Sequence, residues 1–132
     1  MTEELWLLFA SICLGLVYLA ATSFSFKAQT GNRYTVGPRD EDIKPAGLAG
    51  RLARAQQNFN ETFPLFAALA LLLHVTETSG LWSLLGAHLY FWGRVAYLPL
   101  YAMGVPWLRT FSWNILAFGI ALMGAQILIT AL

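Results

Sequence analysis

Arg51, Arg54, Asn58 and Glu61 recur at intervals of three and four residues in Arg51-Leu-Ala-Arg54-Ala-Gln56-Gln-Asn58-Phe-Asn60-Glu61-Thr-Phe-Pro64. On a helix turning about 100° per residue these four side chains project within an arc of roughly 80°. A second polar set follows in Tyr90-Phe-Trp-Gly-Arg94-Val-Ala-Tyr97-Leu-Pro-Leu-Tyr101. There Tyr90, Arg94, Tyr97 and Tyr101 share a face within about 60°. Arginines hold carboxylates through paired hydrogen bonds, and a glutamate holds an ammonium group. The two stripes together suit a small zwitterionic or polyanionic ligand, such as a peptide-like molecule. Arg109, eight residues beyond Tyr101, adds a cation able to stabilise a thiolate or another anion. An architectural reading competes: Arg94 would pair with Glu61, Tyr90 and Tyr101 would anchor at the membrane interface, and Arg109 would mark topology.

The elements that carry these stripes follow from composition. The chain has 132 residues, of which 58% are hydrophobic and 11% charged, far from the balance of a soluble domain. Four apolar stretches, Leu5 to Phe26, Phe59 to Val75, Leu81 to Met103 and Thr110 to Leu132, account for most of it. Each approaches the roughly 20 residues that cross a hydrocarbon core about 30 Å thick. The reading is an all-α membrane protein, an up-down bundle of four transmembrane helices in one domain spanning 1–132. The helices are expected at about 5–26, 54–76, 81–103 and 107–131, with a cytoplasmic loop at about 27–50. Pro106 suits the first turn of the last helix, while Pro64 and Pro99 fall inside the second and third. The opening Met-Thr-Glu-Glu lacks the basic start of a signal peptide and precedes too long an apolar run. The first segment therefore reads as a retained membrane helix.

Six of the eight basic residues, Lys27, Arg33, Arg39, Lys44, Arg51 and Arg54, lie between the first and second segments. Basic residues bias short loops toward the cytoplasm, which leaves both termini extracytoplasmic. Gly31, Gly37, Pro38, Pro45, Gly47 and Gly50 break any long helix in that first loop. Its basic residues meet anionic lipid headgroups, or rim an anion site.

These residues resemble those of the MAPEG family, membrane-associated proteins of eicosanoid and glutathione metabolism that include microsomal glutathione transferases and leukotriene C4 synthase. The resemblance spans the four-helix order and is most specific in Arg54-Ala-Gln56-Gln-Asn58-Phe-Asn60-Glu61-Thr-Phe-Pro64-Leu-Phe66. It implies that Arg54, Gln56, Asn58 and Glu61 contact glutathione, with Arg51 beside them and Arg94, Tyr97 and Tyr101 joining from the third helix. It further implies that Arg109, with Tyr97 nearby, stabilises the glutathione thiolate. Thr62 stands where leukotriene C4 synthase has a tyrosine. The resemblance implies a homotrimer with sites between subunits. Its compact chain and short loops look most like bacterial members, hence a multi-pass protein of a bacterial inner membrane.

The function implied is a glutathione-dependent transferase or peroxidase that uses glutathione as co-substrate and takes a lipophilic substrate from the membrane lipids. The alternative is a non-catalytic lipid- or amphiphile-binding membrane protein of the same fold. A small cation exporter also uses a lone membrane glutamate, but the arginines beside Glu61 oppose a cationic substrate. His74 and His88 lack the ligand spacing of a metal site, and no metal is expected. Nor does the mixed-charge loop suit nucleic acid. Cys13, the only cysteine, has no intrachain partner.

Overall fold

The computed structural model describes all residues, 1–132, and is helical throughout, with no strand. Its elements are α1 (Glu3–Thr30), α2 (Asn32–Val36), α3 (Gly47–Val75), α4 (Leu81–Ala102) and α5 (Pro106–Ala131). The Thr2 side chain accepts the Leu5 amide at 3.4 Å and so caps α1. Glu3 and Glu4 occupy the first turn, where carboxylates suit the positive helix end. Pro106 opens α5, as its missing N–H and fixed φ favour. Pro64 and Pro99 are inside α3 and α4.

Two boundaries differ from the sequence expectation. The helix expected from about residue 54 begins at Gly47, and α1 runs on to Thr30, so the first loop is shorter than 27–50. Gly47 and Gly50 read locally as breakers, yet Ala49, Gly50 and Leu52 are buried and the Leu52 carbonyl accepts the Thr22 hydroxyl of α1 at 3.1 Å. Packing against α1 therefore outweighs the helix cost of Gly50, about 1 kcal/mol, while Gly47 opens α3 with a φ of 57°, a left-handed conformation that favours glycine. Chain termination falls instead to Pro45, just ahead of α3, and to Gly31, whose φ of 87° ends α1. The loop keeps only the five-residue α2.

α1 and α5 are long and apolar enough to cross a membrane, and both are mostly uncovered by protein. At 1.5 Å per residue they measure roughly 42 Å and 39 Å, against a hydrocarbon core of about 30 Å. Trp6, Phe9, Leu16, Phe118 and Leu128 are exposed on them, as a lipid solvent permits. α3 and α4 hold the polar groups.

α4 packs most extensively on α5, with Gly86 and Gly119 facing one another so closely that a Cβ on either would meet the other's carbonyl oxygen. Within lipid, where apolar surface gains little by leaving the solvent, such small-residue contacts are what allow close van der Waals packing. Two buried clusters result. Phe66, Leu73, Tyr90, Leu116 and Met123 belong to the larger, which also takes in Leu7 and Leu8 of α1. Tyr18, Ala55, Phe59 and Tyr97 form the smaller, nearer the first loop. The polar stripes of α3 and α4 border this second cluster.

Candidate functional site

Arg94 is the centre of the polar region and is completely buried. Three helices fix it. The Tyr18 hydroxyl of α1 donates to the Arg94 backbone carbonyl at 2.7 Å. From α4 the guanidinium Nη2 reaches α3, donating to the Asn58 carbonyl at 3.0 Å and to the Thr62 hydroxyl. Its carbon lies 5.1 Å from the Tyr97 ring centroid, 5.6 Å from that of Phe59 and 5.8 Å from that of Tyr90. Such ring faces attract a cation whose other solvation has been removed. Thr62 also exchanges a hydrogen bond with the Tyr90 hydroxyl at 3.2 Å, and Tyr90 stacks on Phe66 with centroids 4.1 Å apart.

The Arg94–Glu61 ion pair of the competing architectural reading is not formed. Thr62 and Asn58 occupy the edge of α3 that meets Arg94, whereas Glu61 points outward and is exposed. Tyr90 is likewise buried inside the bundle and is no interfacial anchor. Arg94 Nε and Nη1 and Asn58 Oδ1 are buried without hydrogen-bond partners.

A second layer lies toward the α4–α5 turn. Arg54 Nε donates to the Tyr101 hydroxyl at 3.2 Å, and its guanidinium carbon is 5.9 Å from the Tyr101 ring centroid. Arg109 approaches the same ring at 4.6 Å. Tyr101 in turn meets Tyr97 edge-on, with centroids 5.4 Å apart. Asn58, Tyr97, Arg109, Thr110 and Trp113 line an open cavity of about 230 Å³. Arg51 Nε donates to the Ala102 carbonyl at 2.9 Å and so satisfies the end of α4.

The structure thus gathers Arg54, Asn58, Arg94, Tyr97, Tyr101 and Arg109, from three helices, into one region. Arg51 borders it as a helix-end cap. Gln56 stands roughly 160° around α3 from Arg54, so one chain does not bring it to the cavity. Glu61 shares the face of Arg54 but makes no ion pair.

The charge balance is one-sided. The ion pair Lys44–Asp42 and the Glu3–His88 contact involve none of the four arginines Arg51, Arg54, Arg94 and Arg109. Arg51, Arg54, Arg94 and Arg109, unmatched by carboxylates, form a region whose chemistry favours an anion.

Sequence reasoning did not single out Tyr18, Phe59, Thr110 or Trp113 as parts of this region. Tyr18 acts through its hydroxyl on a backbone atom 76 residues away, which no local pattern reveals. Thr110 and Trp113 could have been found, since with Arg109 they fall within about one helical turn.

A helical membrane bundle with an uncompensated arginine cluster between its polar helices is the class of protein these features define. The chain matches the model of the MAPEG family over residues 5–129, nearly its full length, and belongs to that family. It is accordingly an integral membrane protein. Among curated proteins, none matches the chain.

Proposed function

We propose that the protein binds glutathione in this arginine region and activates its thiol for reaction with a lipophilic electrophile or hydroperoxide. One observation carries the reading: Arg54 and Arg109 flank Tyr101, and Arg109 shares a cavity with Tyr97 and Asn58, with no carboxylate paired to either arginine. Glutathione supplies what this arrangement lacks, two carboxylates and an ionisable thiol, while its single ammonium suits Glu61. Membership of the family supports the same choice of ligand.

In this reading Arg54 holds a carboxylate, Asn58 hydrogen-bonds the peptide, and Arg109 faces the sulfur with Tyr97 beside it. A free thiol with a pKa near 8.5 is only about 3% thiolate at pH 7, and a neighbouring cation raises that fraction. The thiol proton leaves to solvent. The thiolate then forms a carbon–sulfur bond as the electrophile's leaving group departs, or it attacks a peroxide oxygen and becomes the sulfenic acid as the O–O bond breaks and the departing alkoxide takes a proton from solvent, a second glutathione then converting the sulfenic acid to the disulfide and water.

The cavity, about 230 Å³, falls below the roughly 300–1,000 Å³ usual for ligand pockets. Glu61 is exposed on a helix that, in a four-span arrangement, lies within the membrane, where a charge demands a partner. Both points support a homotrimer in which a neighbouring subunit completes the site and brings its Gln56 to it. They accompany a four-span bundle with both termini extracytoplasmic, in a bacterial inner membrane. The test is titration of the reconstituted protein with glutathione, followed by calorimetry and thiolate absorbance. Saturable heat with rising thiolate absorbance is expected, and the absence of both overturns the reading.

One observation favours the second reading, a non-catalytic amphiphile-binding protein. Trp92, Ala96, Leu100, Leu108, Phe111 and Ile115 line an apolar cavity of about 290 Å³ on the far side of the α4–α5 contact. Retention of amphiphile with no thiolate formation would select it.

A further inference from the structure

The largest cavity in the molecule, about 540 Å³, lies away from the arginine region, between the end of α1 and the first loop. Phe24, Phe26 and Lys27 of α1 line it on one side, and Tyr34, Arg39 and Lys44 of the loop on the other. We propose that this cavity is a binding site for the phosphate headgroup of an anionic glycerophospholipid.

α1 is roughly 12 Å longer than the hydrocarbon core, so its last turns stand at headgroup depth. Phe24, on this stretch, is 68% exposed and offers an apolar surface to acyl chains directly beside the cations.

The loop is fastened to α1 rather than draped over it. Gln29 of α1 donates through Nε2 to the Lys44 carbonyl at 3.0 Å and accepts the Ala46 amide at 2.8 Å. The Tyr34 hydroxyl accepts the Ile43 amide at 2.7 Å, and its ring meets Phe26 edge-on with centroids 6.1 Å apart. Arg39 and Asp42 hold φ values of 57° and 51°, a left-handed conformation that disfavours residues bearing a Cβ. That turn folds Arg39 back over the Phe26 ring, 5.7 Å from its centroid, where Nε and Nη2 donate to the Thr35 carbonyl at 3.2 Å and 2.9 Å. The side chain is thereby ordered before any ligand arrives.

Lys27, Arg39 and Lys44 line the cavity against one carboxylate, Asp42, which Lys44 already pairs at 3.0 Å. Two cations are left for a phosphate. An ordered guanidinium and a lysine beside an apolar entrance match a phosphate that carries acyl chains better than they match a free phosphate ester. The site depends only on the membrane placement of α1 and stands whether or not the protein binds glutathione.

The test uses the whole protein in nanodiscs of phosphatidylcholine containing about one part in five phosphatidylglycerol, a simple anionic bilayer. Native mass spectrometry then counts the lipids retained on release. The wild type is expected to retain phosphatidylglycerol in excess of its share. Arg39→Gln is expected to lose about fivefold, the equivalent of about 1 kcal/mol for one basic residue at the surface, while phosphatidylcholine retention is unchanged. Lys27→Gln, which leaves the left-handed turn untouched, should show a similar loss and serves if Arg39→Gln fails to fold. Added glycerol phosphate should not displace the lipid. Equal retention of both lipids, or full retention by a folded variant, overturns the site. Ready displacement by glycerol phosphate overturns its assignment to lipid.

Discussion

Replacing Arg109 by alanine removes the cation assigned to the thiolate while leaving Arg54, Asn58 and Tyr97 in place. Arg109 is half-buried at the cavity mouth, with its guanidinium carbon 4.6 Å from the Tyr101 ring centroid. A sulfur anion about 5 Å from that guanidinium would be stabilised by roughly 3 kcal/mol at an effective dielectric constant near 20, and by less than 1 kcal/mol in bulk water. Partial exposure puts the working value between these limits, about 1.4 kcal/mol, or one unit of thiol pKa. The bound thiol of Arg109→Ala should therefore titrate about one pH unit higher than in the wild type, with glutathione affinity at low pH nearly unchanged. Thiolate absorbance of the bound complex against pH measures the midpoint, and calorimetry at low pH measures affinity. Arg109→Lys should recover most of the shift, since it keeps the charge. An identical midpoint in wild type and Arg109→Ala would refute the assignment of Arg109.

Other substitutions test the surrounding framework. Glu61→Gln should weaken glutathione by roughly 1.5–3 kcal/mol, or about 10- to 100-fold in Kd, by losing a charge-assisted hydrogen bond to the ammonium. Removal of the α-amino group from the ligand should weaken the wild type alone, and calorimetry compares the four combinations. Thr62→Val leaves the Arg94 Nη2 and the Tyr90 hydroxyl without their shared partner, and should lower stability in detergent by about 1–2 kcal/mol. Gly86→Ala forces a methyl group against the Gly119 carbonyl and should cost about 1–3 kcal/mol by overpacking. Gly124→Ala, with open space at its Cβ, should leave the melting temperature unchanged or raise it.

Much of the scaffold was legible because it is written locally. The apolar runs of α1 and α5 and the proline at the first position of α5 act through their own backbone and solvent, and they fell where expected, whereas α1 continues four residues past its expected end at 26 before Gly31 stops it. The start of α3 was not legible, since Gly50 is buried within its own turn, beside the Pro45 carbonyl and the Arg54 guanidinium, while the Leu52 carbonyl next to it is held by Thr22 of α1, 30 residues away. In the site, the helical arcs correctly grouped Tyr97 with Tyr101 and Arg54 with Asn58. An arc does not tell which of its edges turns inward. On α3 the inner edge, Asn58 with Thr62, meets Arg94, while the outer edge, Arg54 with Glu61, stays exposed. Thr62 lies just outside the arc of the stripe and enters the site because α4 approaches from that side. That difference of about 100° between Glu61 and Thr62 gives Arg94 hydrogen bonds and a ring cage in place of the ion pair of the architectural reading.

The central claim is that the unmatched arginines form a glutathione site, and a cryo-EM map of the glutathione-loaded protein in nanodiscs tests it most directly. A trimer is expected, with tripeptide-shaped density touching Arg54, Asn58 and Glu61 and its sulfur beside Arg109 and Tyr97. A cavity closed by side chains, or filled only by lipid, would contradict it.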